Sequence, residues 1–225
     1  MQIASGLYVY PWQGQGNNCN SYLLASDVLT LIDPGHITDE LNEPCLEILK
    51  QSLARDGFRL EDVDLVLLTH AHPDHAASTG EVKKLSGANI AGHQAEVAQV
   101  ATMARYLPGA PATLDLDIFL EEGELTLGSA REINLEVYHV PGHSPGSLAY
   151  YWPQAKALFT GDVIFAGSIG RTDFPGGSLP ELARSIDHLA SLDVEWLLPG
   201  HMQIVKGKSN VQNNIAYIKT MFFGG

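Results

Sequence analysis

Residues 69–75 read Thr-His-Ala-His-Pro-Asp-His, and the apolar run Val-Asp-Leu-Val-Leu-Leu-Thr at 63–69 leads directly into them. A run of this length is too short for a helix and is typical of a strand that is covered on both faces. The strand delivers His70, His72, Asp74 and His75, and imidazole and carboxylate groups are common ligands of transition metals. Four ligands at this spacing are too many for one closed site, so the segment predicts two metal ions.

Three later positions repeat this arrangement of a strand followed by a polar ligand. His143 lies in Val-Pro-Gly-His-Ser-Pro-Gly, Asp162 in Phe-Thr-Gly-Asp and His201 in Leu-Leu-Pro-Gly-His. Each of them stands beside a glycine, where the side chain projects from a strand end and other backbone can approach closely. We therefore expect these three side chains to join the cluster at 70–75 as metal ligands.

The rest of the chain alternates short apolar runs of strand character with amphipathic helical segments. Strands are predicted at 7–11, 21–25, 28–33, 63–69, 88–92, 133–140, 147–152, 157–160 and 196–198. Helices are predicted at 44–56, 76–85, 94–106, 179–189 and 210–222, with a Pro-Gly-Ala-Pro break at 108–111. This order predicts an α/β fold in which two sheets pack together with helices outside them.

The composition favours one domain spanning residues 1–225 of a cytoplasmic protein. The chain is 45% apolar with a mean hydropathy of −0.01, which provides a core and is ordinary for a soluble protein. The net charge of −13 repels phosphates, so neither nucleic acid nor membrane is expected as a partner, and monomer and homodimer both stay open. Cys19 and Cys45 form no disulfide or metal motif, and the N-terminus has no secretion-signal pattern.

In type and order, the candidate ligands resemble the metal motifs of the metallo-β-lactamase fold superfamily over almost the whole chain. The loop Gly-Ser-Ile-Gly-Arg-Thr-Asp-Phe-Pro-Gly-Gly at 167–177 is similar to that of short glyoxalase II-like hydrolases. The resemblance implies an αββα sandwich of two mixed sheets packed face to face, with the metals at the sheet edge. It also implies that one ion is held by His70, His72 and His143, a second by Asp74, His75 and His201, and that Asp162 bridges the two.

Such a centre is expected to hydrolyse activated acyl compounds. Two ions about 3.5 to 4 Å apart can share a hydroxide at neutral pH, because coordination lowers the pKa of water from about 15.7 toward about 7. The hydroxide would attack the carbonyl carbon of a small-molecule thioester, and Asp74 would hold the nucleophile's proton. The expected cofactors are two divalent metal ions, with zinc first and iron or manganese as the alternatives.

Four further residues are expected to support the centre or to face substrate. Asp33, in Ile-Asp-Pro-Gly at a strand end, resembles the family residue that steadies the histidine segment. Arg171 and Asp173 are expected to orient substrate or a ligand histidine, with a buried structural ion pair as the alternative, and His36 is expected to face substrate. The short tail after His201 lacks the helical domain that carries the glutathione contacts of full-length glyoxalase II, so selectivity for glutathione is expected to be modest.

Other reaction classes on the same fold stay open at this stage. A mononuclear iron persulfide dioxygenase needs only a face of two histidines and one carboxylate, which the cluster contains. A phosphodiesterase or nuclease would also use two metals, but the charge of −13 and the lack of a Lys/Arg cluster disfavour polyanionic substrates. A flavodiiron protein would require a glutamate where His72 stands, and a metal-binding protein without activity would require saturated coordination.

Overall fold

The computed structural model describes residues 1–106 and 113–224, and within these ranges thirteen strands form two mixed sheets. Sheet A contains β1 to β7, which are Gln2–Ala4, Leu7–Tyr10, Ser21–Ala25, Leu29–Ile32, Leu65–Leu67, Asn89–Gly92 and Ile118–Phe119. Sheet B contains β8 to β13, which are Gly123–Leu127, Ile133–His139, Leu148–Trp152, Ala157–Gly161, Trp196–Pro199 and Val205–Lys206. The strands lie side by side in chain order. β4 to β7 run parallel, as do β11 and β12, and the other neighbours run antiparallel.

The apolar core between the sheets comes from the alternation of side chains along each strand. In β2, Leu7 and Val9 point into this central core, whereas Tyr10 packs on the outer side of sheet A. In β10, Tyr150 enters the same central core and Tyr151 packs on the outer side of sheet B. The two sheets therefore pack face to face. The assignment of all 225 residues to one domain stays a prediction.

The helices lie on the outer faces of the two sheets. In the described ranges they are α1 to α6, which are Cys45–Arg55, Pro73–Ala76, Thr79–Ser86, Gln94–Met103, Leu179–Leu189 and Lys208–Phe223. Leu49 and Val82 pack α1 and α3 against sheet A, and Leu182 and Ile215 pack α5 and α6 against sheet B. This layering confirms the predicted αββα fold. None of these helices has the length and apolar character that crossing a membrane requires.

The structure differs from the predicted elements mainly at the sheet edges. β1, β7, β8 and β13 are not among the predicted strands, because they are two to five residues long and mostly solvent-facing, so no apolar run marks them. The helix predicted at 76–85 begins later, as α3 at Thr79, and a separate short helix, α2, ends at Ala76. The helix predicted at 94–106 ends at Met103. The break predicted at 108–111 lies outside the described residues.

Two buried tyrosine hydroxyls connect the sheets at the edge where the candidate ligands lie. Tyr150 on β10 donates to the carbonyl of Leu68 at 2.6 Å, and Tyr22 on β3 donates to the carbonyl of Pro199 at 2.6 Å. Burial raises the pKa of both tyrosines well above the ordinary value, so both hydroxyls stay protonated donors. These bonds tie the end of β5 to β10, and the end of β12 to β3, across the sandwich.

Candidate metal centre

The candidate ligands meet at one edge of the sandwich, where strands of both sheets end. They lie on α2 and in the loops after β5, β9, β11 and β12, and they are His70, His72, Asp74, His75, His143, Asp162 and His201. The structure therefore brings together all of the residues that the sequence singles out as metal ligands. Two of the clusters that they form share no residue, His70–His72–His143 and Asp74–His75–His201, and a third cluster, His70–His75–Asp162, joins them.

The first group consists of three histidines from both sheets, and we call it the three-histidine group. His70 Nε2 lies 3.1 Å from His72 Nδ1 and 3.2 Å from His143 Nε2, and the last two nitrogens are 2.8 Å apart. Nitrogens bound about 2.0 to 2.1 Å from a tetrahedral zinc ion are about 3.3 Å apart, so the observed triangle fits one ion. His72 Nε2 is buried and has no hydrogen-bond partner within the described residues.

The second group combines two histidines with a carboxylate, and we call it the mixed group. His201 Nε2 lies 3.3 Å from His75 Nε2 and 3.1 Å from Asp74 Oδ2. His75 is fully buried, whereas His201 keeps about a fifth of its side-chain surface exposed, 21%. Two imidazoles and a carboxylate oxygen are a donor set that suits zinc, iron and manganese.

Asp162 lies between the two groups. Its Oδ1 is 3.2 Å from His75 Nε2, and its Oδ2 is 3.5 Å from both His201 Nε2 and His143 Nε2. Burial opposes ionisation of this carboxyl, but His201 and His75 outweigh that effect and lower its pKa. One ionised carboxylate therefore contacts the histidines of both groups, and a pair of cations fits this arrangement of donors.

Asp33, at the end of β4, lies directly behind the histidines. Its carboxylate accepts hydrogen bonds from Thr69 N at 2.8 Å, Thr69 Oγ1 at 2.6 Å and His75 Nδ1 at 2.8 Å. Because Thr69 Oγ1 gives its proton to Asp33, it accepts the Nδ1 proton of His70 at 3.1 Å. His70 and His75 therefore both direct Nε2 toward the centre, which is the ring orientation that metal binding requires.

The loop that carries Arg171 supports the third histidine through its backbone. His143 Nδ1 donates to the carbonyl of Arg171 at 2.7 Å. The Arg171 guanidinium instead binds the Asp173 carboxylate at 2.7 and 2.9 Å and lies 4.1 Å from the centre of the Phe174 ring. The two charged side chains are 63% and 66% exposed. Asp173 does not contact a ligand histidine, which corrects one prediction, because the carbonyl of Arg171 already accepts the His143 Nδ1 proton. The ion pair is exposed, which corrects the alternative that it is buried.

A cavity of about 650 Å³ opens beside the two groups. Among the described residues that line it, Arg171 is the one Lys or Arg side chain. The apolar part of the wall is formed by Phe165, Ile169, Phe174 and Met202. His36, which the sequence predicts to face substrate, is not part of this wall. Its backbone N–H donates to Asn18 Oδ1 at 2.8 Å and its ring is half-buried, and its role in facing substrate stays a prediction.

Burial and neighbouring carboxylates divide the histidines into two kinds. Burial lowers the pKa of His70 well below its ordinary value and lowers that of His72 to about 3. Burial also opposes the charged form of His75, but the carboxylates of Asp162 and Asp33 outweigh it and raise the pKa of that ring. His70 and His72 are therefore neutral near pH 7, with lone pairs available for coordination.

Two residues near the centre are absent from the predicted site. Asn17 Nδ2 donates to Asp74 Oδ2 at 2.9 Å, and the one available signal for it is the polar run Asn-Asn-Cys-Asn at 17–20. Glu96, only 2% exposed, contacts the loops that carry His70 and His143. In the sequence Glu96 reads as an ordinary acidic residue in the first turn of a helix, so no signal separates it from a solvated one.

The family model described as the metallo-beta-lactamase superfamily matches residues 14–201. The chain belongs to this superfamily. The matched region includes every candidate ligand, from His70 to His201, as well as Asp33. The His/Asp clusters of this superfamily member are suited to binding metal ions, and its class is that of the metallo-hydrolases.

Relatives of this metallo-β-lactamase superfamily member include proteins with more specific names. The probable metallo-hydrolase YqgX of Bacillus subtilis is 35% identical over 195 residues, which cover 84% of this chain and 83% of the relative. The hydroxyacylglutathione hydrolase GloC of Haemophilus influenzae is 37% identical over 138 residues, which cover 57% of this chain and 64% of the relative, less than two thirds. The crystal structure of TTHA1623 in a di-iron-bound form matches with a TM-score of 0.70 and 30% identity, covering 91% of this chain and 98% of that one.

Proposed function

We propose that the protein hydrolyses small-molecule thioesters with two divalent metal ions, in the manner of glyoxalase II-like enzymes. Asp162 carries the proposal, because its carboxylate contacts His143 of one group and His75 and His201 of the other. In this proposal the three-histidine group holds one ion, the mixed group holds the second, and Asp162 binds both. A pair of ions supplies a hydroxide nucleophile at neutral pH by lowering the pKa of water.

We propose zinc as the metal, with iron or manganese as the alternatives. Imidazole ligands suit zinc and iron, and the carboxylates of Asp74 and Asp162 also suit manganese. The match to a structure in a di-iron-bound form supports two ions and keeps iron among the candidates. A mononuclear iron dioxygenase stays the alternative function, but it leaves the mixed group without a role.

Asp74 is proposed to take up the nucleophile's proton and pass it on. Burial opposes ionisation of its carboxyl, but His201, 3.1 Å away, and His75 keep its pKa well below the ordinary value. Asn17 Nδ2 donates to the same oxygen and fixes the orientation of the carboxylate. The carboxylate is therefore ionised near pH 7 and can accept a proton from the nucleophile.

The cavity wall supports a thioester more than a polyanionic substrate. Phe165, Ile169 and Phe174 present apolar surface beside the candidate ligands, and the Arg171 guanidinium is already bound to Asp173. Glutathione carries two carboxylates, for which this wall offers little free positive charge. A thiolate is a good leaving group, so the reaction needs no separate acid to protonate it.

The protein reconstituted with zinc is expected to cleave thioesters at least about a hundredfold faster than a phosphodiester, because no positioned acid assists a poor leaving group. S-lactoylglutathione and an N-acetylcysteamine thioester are expected to agree in kcat/KM within about tenfold, since an exposed, already paired Arg171 adds little binding energy. The measurement is thiol release from each thioester and, by chromatography, alcohol release from an unactivated dialkyl phosphodiester, whose alkoxide is a poor leaving group.

The matched arm of this assay uses the iron-loaded protein with glutathione persulfide and oxygen. Thioester hydrolysis without oxygen uptake supports the hydrolase. Stoichiometric oxygen consumption with sulfite formation, and no thioester cleavage, would replace the proposal with the dioxygenase. Cleavage of the phosphodiester alone would replace it with the nuclease.

Protein purified without chelators is expected to contain two metal ions per chain, because the three-histidine group and the mixed group share no residue and each suits one ion. Elemental analysis combined with a protein concentration from amino-acid analysis measures this ratio. His201→Ala, which removes a ligand of the mixed group, is expected to lower the ratio to one. A wild-type protein with one tightly held iron and no second ion would contradict the dinuclear centre.

We further propose that the protein works in the cytoplasm on a small molecule, as a monomer or a homodimer, without nucleic-acid or membrane partners. Cys19 and Cys45 are both free thiols in the structure, which suits a reducing compartment. The net charge of −13 disfavours binding to phosphate-rich partners.

A further inference from the structure

Glu96 is a buried carboxylate that the proposed reaction does not use. It lies in the first turn of α4 with 2% of its surface exposed. Its Oε2 accepts a hydrogen bond from Ala71 N at 2.8 Å. Its Oε1 accepts from Gly146 N at 2.7 Å and from Ser144 Oγ at 2.7 Å. These donors are all uncharged, so Glu96 is a buried acid that binds only neutral groups.

The donors to Glu96 belong to the two loops that build the three-histidine group. Ala71 stands between His70 and His72 in the loop after β5 of sheet A, and Ser144 directly follows His143 in the loop after β9 of sheet B. From these contacts we infer that Glu96 is a positioning residue for the metal ion of the three-histidine group. It fixes the spacing between the histidines that come from opposite sheets.

The loop that carries His143 leaves space for the Glu96 side chain to approach its backbone. A Cβ atom on Gly146 would lie 2.8 Å from both Cγ and Oε1 of Glu96, closer than side-chain atoms pack, so the loop needs glycine at this position. Ser144 is fully buried, and its hydroxyl also lies 2.7 Å from Ser147 Oγ. The Glu96 carboxylate therefore ends a chain of hydrogen bonds that orders the whole His143 loop.

The charge of Glu96 also favours a role in metal binding over simple packing. Among the described residues, no Lys, Arg or His forms an ion pair with it. A buried carboxylate without a cationic partner is unfavourable, and polar groups in cores are usually paired or coordinate a metal. A cation in the adjacent three-histidine group would compensate this charge through the intervening loops.

The test compares the two metal sites separately in Glu96→Gln. Glutamine keeps the size of the side chain, and its oxygen can still accept from Gly146 and Ser144, but its amide group then faces the Ala71 N–H. In a His201→Ala background, which leaves the three-histidine group, zinc affinity is expected to fall about 10 to 100-fold, the range typical for partners that orient metal ligands. In a His143→Ala background, which leaves the mixed group, we expect less than about a threefold change.

Zinc affinity is measured by competition with a chromophoric chelator, and the melting temperature of each metal-free variant is measured beside it. Equal losses of affinity in the two backgrounds, or no loss in either, would overturn the inference in favour of a structural role. The inference rests on the metal centre of the proposed function but not on its reaction. A protein that shows the selective loss and cleaves no thioester would refute the proposed activity alone. Absence of zinc binding in the His201→Ala background would overturn both.

Ser144→Ala provides a milder second variant, because it removes one donor and leaves Glu96 in place. It is expected to lower zinc affinity in the His201→Ala background by less than Glu96→Gln does. Val100→Ala is the matched control. Val100 lies one turn further along α4, is 1% exposed and packs in the apolar cluster on the outer side of sheet A, which contains no candidate ligand. An equal loss of affinity in Val100→Ala would assign the effect to α4 as a whole and contradict the inference.

Discussion

Asp162→Ala is expected to lower thioester kcat/KM by about a thousandfold, beyond the 10 to 100-fold that loss of an outer partner of a ligand costs. The reason is that one carboxylate reaches His143 in one group and His75 and His201 in the other, at 3.2 to 3.5 Å. Its removal takes a ligand from both proposed ions at once. Metal content, measured by elemental analysis, is expected to fall together with turnover.

Asp33→Asn is the matched comparison for this prediction. Asp33 accepts from Thr69 and His75 and touches neither proposed ion, so we expect about a 10 to 100-fold loss of activity and partial retention of metal. A larger loss of kcat/KM in Asp162→Ala than in Asp33→Asn is therefore expected of a bridging carboxylate. Near-normal activity with two ions in Asp162→Ala would show that Asp162 does not bridge the centre.

Gly200→Ala is expected to disrupt the mixed group and to lower activity by about a hundredfold, similar to the loss of a partner that orients a ligand. A Cβ atom at Gly200 would lie 2.3 Å from Asp162 Oδ1 and 2.7 Å from His75 Cε1. The backbone cannot withdraw, because Gly200 N donates to Gly161 O at 2.8 Å and Gly200 O accepts from Asn20 N at 2.6 Å. Overpacking of this kind also lowers the free energy of unfolding by about 1 to 3 kcal/mol.

Zinc stoichiometry and thermal unfolding of Gly200→Ala measure both effects. Gly80→Ala is the control, since Gly80 lies inside α3 and an added Cβ meets nothing within 4 Å. Alanine at that helical position is expected to raise the free energy of unfolding by about 0.5 to 1 kcal/mol, with no change in metal binding. A Gly200→Ala protein with two ions and wild-type turnover would contradict the close packing described around Asp162.

The fold was predictable from sequence wherever buried elements produce a recognisable pattern of apolar residues along the chain. The run at 63–69 predicts β5 because a strand between helices and a second sheet is apolar on both faces. The structure confirms the helix predicted at 179–189 as α5, which begins directly after Ser178, whose Oγ accepts from Glu181 N. β8 and β13 leave no such trace, because edge strands that face solvent carry the same residues as loops.

The positions of the candidate ligands were predictable for a related reason. A polar residue that directly follows a buried strand must lie at the sheet edge, and parallel strands bring such residues together. What supports them was less accessible to sequence reasoning. The acceptor for His143 is the backbone carbonyl of Arg171, and a backbone group cannot be recognised from residue type. Asp173 binds the Arg171 side chain instead of a ligand histidine. Glu96 acts through a tertiary contact between two distant loops.

The division of the candidate ligands between the two sheets has a consequence for the lifetime of the protein. His70, His72 and His75 follow strands of sheet A, whereas His143 and His201 follow strands of sheet B. An ion bound among them would therefore cross-link the two sheets. Such an ion binds the folded chain and not the unfolded one, which adds about 4 kcal/mol to the free energy of unfolding at a free ion concentration one thousand times Kd. Metal starvation would then make the chain more susceptible to proteolysis and would also abolish its activity. The amount of protein and its activity would therefore both depend on the supply of metal.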